Sequence, residues 1–158
     1  MDCLANAIIF SSIDLGQAYY QIKLAEGSRD ATAFSTKEGQ FRFNRIPFGL
    51  ATAPATFQKL IHDMLAGLIF KGVIVYLDDI LVYEKSVNEH NILEEVFNRI
   101  RILRLRINPE KCKFYQKMLV FLEHTINAEK IKTNETKIRE IKVQKNQNAH
   151  PNSGLFLV

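Results

Sequence analysis

Apolar and polar positions mark this chain out into strands and two long helices. The densest apolar run is Val73-Ile74-Val75-Tyr76-Leu77-Asp78-Asp79-Ile80-Leu81-Val82-Tyr83. Two β-branched and aromatic segments meet there at adjacent aspartates, which predicts a hairpin with the acidic pair at its tip. Asp-Asp is a poor two-residue turn, because tight hairpins favour Asn-Gly or Asp-Gly and the two charges repel. Ile8 to Leu15 predicts a buried strand with Asp14 near its carboxyl end, then a compact turn from Gly16 and an extended piece from Gln21 to Leu24. Thr32 to Thr36 and Phe41 to Ile46 predict a second hairpin, joined through Lys37-Glu38-Gly39-Gln40. In it Phe41 and Phe43 alternate with outward-facing Arg42 and Asn44.

Spacings of three and four define the helices. After the loop Pro47 to Ala51, Thr52 and Pro54 suit a helix start, and Phe57, Leu60, Ile61, Met64, Leu65 and Leu68 form its apolar face. Ser86 and Glu89 have capping-box spacing ahead of a second helix with Ile92, Leu93, Val96, Phe97, Ile100 and Leu103 on one face, stopping before Asn108-Pro109. Arg99, Arg101, Arg104 and Arg106 gather toward its carboxyl end, where cations complement the helix dipole. Lys111 to Tyr115, Met118 to Leu122 and Thr125 to Ile131 predict short strands, and Asn134 to Ile141 a brief helix. From Gln144 onward a polar stretch precedes an apolar terminus.

Composition narrows the class only modestly. With 158 residues, 47% hydrophobic and 24% charged, the chain is long enough to bury one core and too apolar to be disordered. A net charge of +4 favours an anionic partner without naming one. Cys3 and Cys112 lack zinc or redox spacing and predict reduced thiols. No signal-peptide pattern and no apolar run of membrane-helix length are present, so the expected location is intracellular, cytoplasmic or nuclear. The four histidines fall singly, without ligand spacing.

The carboxylates carry the candidate chemistry. If the strand ending in Asp14 and the hairpin tipped by Asp78 and Asp79 join one antiparallel sheet, three carboxylates converge. Oxygen-only anionic ligands suit Mg²⁺. Two such ions about 3.5–4 Å apart clamp the attacking and leaving oxygens of an in-line phosphoryl displacement. Each aspartate alone also fits an ordinary turn or helix cap.

Phe10-Ser11-Ser12-Ile13-Asp14-Leu15, Pro47-Phe48-Gly49-Leu50 with Ala53-Pro54-Ala55-Thr56-Phe57-Gln58, and Tyr76-Leu77-Asp78-Asp79 resemble the successive palm motifs of reverse transcriptases. They are most similar to those of gypsy-type long-terminal-repeat retrotransposon polyproteins. The resemblance covers about residues 4 to 142, in the family's order and spacing. It implies an α+β polymerase palm: an antiparallel sheet with helices packed on one face, and a short hairpin extension toward the thumb. It further implies RNA-directed DNA polymerase activity with two Mg²⁺ ions, Mn²⁺ being a substitute, on an RNA or DNA template with a primer and dNTP. By position, Asp14, Asp78 and Asp79 match the catalytic metal-binding triad. Tyr19 matches the aromatic residue that excludes a 2′-hydroxyl, Phe48 and Gly49 the loop beside the nucleotide, and Tyr76 the residue facing the primer end. Phe121, Leu122, Glu123 and His124 match the hairpin that grips the primer.

Some positions depart from the family pattern. Glu123 stands where glycine is usual, which restricts the turn and sets a carboxylate beside primer phosphates. The chain starts just before the first palm motif, so the expectation is a palm region over 1–142 with the fingers absent. Residues 143–158 are then a divergent tail, disordered or out of frame. Uncovered palm surface would favour self-association, or the missing segments would come from another chain. Two other readings compete: a remnant that binds nucleic acid or protein without catalysis, and a different palm enzyme such as an RNA-copying polymerase or nucleotide cyclase. Tyr76 and Tyr19 oppose the last.

Overall fold

The computed structural model describes Leu4, residues 6–86 and 91–128, and the backbone of 131–133. Strand β1 (Ile9–Asp14) leads through a 3-10 turn (Ala18–Gln21) to the short helix α1 (Glu26–Arg29) and the small hairpin β2 (Phe34–Thr36) and β3 (Gly39–Phe41). Helix α2 (Ala53–Met64), the hairpin β4 (Val73–Tyr76) and β5 (Asp79–Glu84), and helix α3 (Asn91–Ile102) follow. β6 (Lys113–Gln116), β7 (Met118–Phe121), β8 (His124–Asn127) and β9 (Ile131–Thr133) complete the described chain.

Four strands make the central antiparallel sheet, in the order β4-β5-β1-β6. β5 is buried along nearly its whole length because both its faces are covered, and alternation decides which residue meets which layer. Ile13, Val73, Ile80 and Val82 face the helices, where Phe57, Ile61 and Leu65 of α2 and Leu93, Val96 and Ile100 of α3 complete one core. Phe10, Leu81 and Tyr83 point the other way and pack with Leu119, Phe121 and Ile126 from the sheet β7-β8-β9. The expected α+β fold, with helices on one face and a hairpin extension, is what forms, and the extension covers the opposite face. Each fully buried Phe, Ile or Leu contributes roughly 1.5–3 kcal/mol. Ile61→Ala at the centre of α2 would cost about 2–5 kcal/mol.

α2 begins where the sequence predicts it, with Thr52 before it and a proline in the first turn. Gly72, before β4, has φ +136, and a Cβ there would lie 2.3 Å from Ile92 Cδ1. Only glycine lets the hairpin start against α3.

Several expectations are corrected. The tip of the central hairpin is Leu77-Asp78, because Tyr76 pairs with Asp79; Asp79 is therefore a strand residue. A turn at Asp78-Asp79 would re-pair Val75 with Val82 and leave Ile80 and Val82 on the helix side, so the two faces of β5 are the same for either turn. The second hairpin is shorter than predicted, and Asn44–Ile46 instead pairs with Ile22–Leu24: Leu24 N–H donates to Asn44 O and Ile46 N–H to Ile22 O, both at 3.0 Å. The predicted strand from Thr125 to Ile131 is two strands, β8 and β9. α3 ends at Ile102, and Leu103 is exposed. Arg99 does more than complement its own helix. It pairs with Glu95 and donates to Met64 O at 3.0 Å and Ala66 O at 2.8 Å, satisfying carbonyls at the end of α2. Glu89, Cys3, the predicted helix from Asn134 and the tail from 143 lie outside the described residues. Among the described residues no helix is long and apolar enough to cross a membrane.

Candidate active site

The site begins with register. Asp14, the last residue of β1, is the direct antiparallel partner of Asp79, the first of β5. Directly opposed residues set their Cβ atoms about 4.5–5.5 Å apart on one face. Asp78 sits beside them in the turn, and its carbonyl accepts the Leu15 N–H at 3.0 Å. Asn108 N–H donates to Asp14 O at 2.9 Å, so the segment after α3 closes the same end of the sheet. The three predicted acids thus stand at one sheet end.

Leu77, the first turn residue, has φ +51, a left-handed conformation that costs a non-glycine residue about 1–2 kcal/mol. Its N–H is held by Gln58 Oε1 of α2 at 2.8 Å. The turn is thereby anchored to the helix layer.

Asp14 and Asp79 share a cleft of about 220 Å³ with Ser12, Lys111, Lys113, Val120 and Phe121. The Asp14 side chain is only 14% exposed, and Lys111 Nζ lies 3.4 Å from its Oδ2. Burial pushes the Asp79 carboxyl above its ordinary value, reinforced by the charges of Asp78 and Asp14 and partly offset by Lys111. This is the electrostatics of an anionic cluster with too little positive charge. The donor set fits a hard divalent cation: all oxygen, anionic, and mutually repelling until a cation intervenes. Among the described residues no three His, Cys, Asp or Glu side chains form a group that would already hold a metal ion. The acids are neighbours at one sheet end without being gathered into a finished ligand shell.

The other predicted residues fall into two groups. Tyr19 meets Phe48 edge-on at 5.2 Å and Phe57 at 5.7 Å, and Tyr20 flanks Phe48 at 5.2 Å. Phe48 is nonetheless 59% exposed, and Gly49 after it has φ +92. Tyr76 is 54% exposed at the end of β4, opposite Asp79. In the β7–β8 hairpin, Phe121 is buried and lines the acidic cleft. Leu122 and Glu123 form its two-residue turn with φ +47 and +65. His124 pairs with Phe121, its Nδ1 donating to Leu122 O at 2.8 Å.

Residues 1–144 match the family model described as reverse transcriptase (RNA-dependent DNA polymerase). The chain belongs to the reverse transcriptase family. It is 41% identical over 139 residues to the retrovirus-related Pol polyprotein from transposon 297 of Drosophila melanogaster, covering 87% of this chain and 13% of that protein. Over a similar span it is 31% identical to the Pol polyprotein from transposon gypsy of the same fly. A solved foamy viral protease-reverse transcriptase in complex with double-stranded DNA superposes with a TM-score of 0.77 at 28% identity, over 94% of this chain and 25% of that one. The same viral protein with an RNA/DNA hybrid gives 0.74. The chain spans about one eighth of the length of the Pol polyproteins it matches.

Sequence reasoning quoted Gln58 only as the end of a motif, with no role of its own, and passed over Lys111 as a neighbour of the acids. Gln58 is a polar residue next to Phe57 on the apolar side of α2. That is a weak signal, because its partner is a backbone group of another element. Lys111 lies 97 positions from Asp14, and nothing local links them.

Proposed function

We propose that this chain supplies the catalytic palm of an RNA-directed DNA polymerase, transferring a nucleotide from dNTP to a primer 3′-hydroxyl on an RNA or DNA template. The observation that carries the proposal is the pairing of Asp14 with Asp79 at the sheet end, with Asp78 in the adjoining turn. Asp14, Asp78 and Asp79 would hold Mg²⁺ or Mn²⁺, which supplies charge neutralisation at the phosphates and activation of the primer hydroxyl. The chain's own residues do the rest. β1 and β5 fix the direction of the carboxylates, and Gln58 fixes the turn. Tyr19, braced by Phe48 and Phe57, would lie under the incoming sugar and reject a 2′-hydroxyl, with Phe48 and Gly49 beside the base. Tyr76 and the turn from Phe121 to His124 would place the primer end beside the acids, Phe121 already lining their cleft. Binding of DNA duplexes and RNA/DNA hybrids by the foamy viral relative supports nucleic acid as the partner here. Residues 1–142 form the palm unit in this reading.

Primer extension on an RNA template with Mg²⁺ or Mn²⁺ tests it. Extension by the purified chain should be lost in both Asp78→Asn and Asp79→Asn. Extension that survives either substitution overturns the assignment of the acids. Salt-sensitive retention of primer-template by Asp78→Asn, with no extension by the folded unmodified chain, supports binding without catalysis instead.

A further inference from the structure

A second concavity, of about 410 Å³, opens beside Tyr20, and none of the three aspartates lines it. Its charged lining is Arg45, Arg104 and Arg106, and no carboxylate lines it. The frame is stiff. Gln21 Nε2 donates to Gly16 O at 2.5 Å and to Arg106 O at 2.9 Å, while its Oε1 accepts the Arg106 N–H at 2.5 Å. One side chain therefore staples the two walls of the cleft together.

The guanidinium groups differ in what they already hold. Arg99 and Arg101 are engaged, with Glu95 and two carbonyls in one case and Asn98 in the other. Arg45 Nη1 donates to Tyr20 O and Gln21 O, which orients the group at the cleft and leaves its remaining N–H donors available. Arg104 and Arg106 have no side-chain hydrogen bond or ion pair among the described residues. The left-handed backbone of Arg104, φ +54, turns the chain off α3 toward this cleft. Three like charges around one concavity repel unless an anion joins them, and guanidinium matches phosphate oxygens in bidentate fashion.

We propose that this arginine cleft is a phosphate-binding site, taking the phosphate groups of a free polyphosphate or of a single nucleic-acid strand. It is separate from the carboxylate cleft and stands whether or not the chain extends primers.

Isothermal titration of the full chain with sodium tripolyphosphate, and separately with a DNA octanucleotide, in buffer without divalent metal, tests it. Saturable binding is expected, with Kd raised at least tenfold in the Arg104→Ala/Arg106→Ala double variant and unchanged in Arg101→Ala. Should the double variant lose its native circular dichroism, Arg45→Gln serves, with an expected rise of threefold or more. Tighter, arginine-dependent binding of the octanucleotide identifies a strand as the source, and arginine-dependent binding of tripolyphosphate alone identifies a free polyphosphate. No saturable binding of either probe, or equal affinity in the cleft variants and Arg101→Ala, overturns the proposal.

Discussion

Gln58 Oε1 accepts the backbone N–H of Leu77 at 2.8 Å, so helix α2 holds in place the turn that carries Asp78. Leu77 is left-handed, and a strained residue beside an acidic cluster persists only when its surroundings over-determine it. Gln58→Leu should therefore lower stability by about 1–3 kcal/mol, the cost of a part-buried N–H without its acceptor. In a Leu77→Gly background, where the turn needs less support, the same substitution should cost less. Urea denaturation of the four proteins of this cycle gives the coupling, and equal costs in both backgrounds would refute the anchoring role.

Asp79 makes stability depend on pH in a defined direction. Its folded-state carboxyl is raised by burial and by Asp78 and Asp14, so the folded chain holds that proton more tightly than the unfolded chain does. The contribution is fully present below the unfolded value of about 3.9 and is lost as pH rises through the raised folded value. Asp79→Asn removes the charge, so with chelator present it should raise Tm near neutral pH, the gain shrinking to nothing as pH falls toward 4. A variant less stable than the parent at neutral pH would contradict this electrostatic account.

Lys111 is the one positively charged side chain paired with Asp14 among the described residues, at 3.4 Å and largely in solvent. An exposed partner of this kind contributes about 1 kcal/mol or less to stability. Lys111→Met should leave Tm nearly unchanged yet tighten Mn²⁺ binding several-fold, because the metal no longer shares the acids with an ammonium group. Electron paramagnetic resonance of free Mn²⁺ measures this directly, and weaker binding in the variant would show that Lys111 assists rather than competes.

The Leu122-Glu123 turn carries two positive φ values in succession. Two-residue hairpins of that geometry favour glycine at such positions. Glu123→Gly should raise stability by up to about 1 kcal/mol, the left-handed cost less the entropy of a free glycine. If the turn contacts primer, removing the carboxylate should also tighten primer-template binding at low salt. Fluorescence anisotropy checks the second effect independently of the first.

Much of this molecule is legible locally. The three-and-four spacing of Phe57, Ile61 and Leu65 specifies the buried stripe of α2, and Leu93, Val96 and Ile100 do the same for α3, because a helix presents those positions on one side whatever it packs against. The continuous apolar, β-branched run through β5 announces a strand, and two aspartates between apolar segments announce something other than a casual loop. Spaced motifs around Asp14, Phe48 and Asp78 point to the family before any packing is considered.

Tertiary structure alone decided the rest. Whether the turn falls at Leu77-Asp78 or one residue later leaves the faces of β5 unchanged, and the contact that holds it in place comes from another element, Gln58 of α2 on the Leu77 N–H. The roles of Gln58, Arg99 and Lys111 depend on partners 19 to 97 positions away, which no local pattern encodes. Arg104 and Arg106 read in sequence as a helix-end charge run, and Arg45 as one more exposed strand residue. They became one cleft only because Gln21 ties its two walls together across 85 positions. Sequence determines what each segment prefers; the long-range contacts select which side chains share a space, and that sharing makes a site.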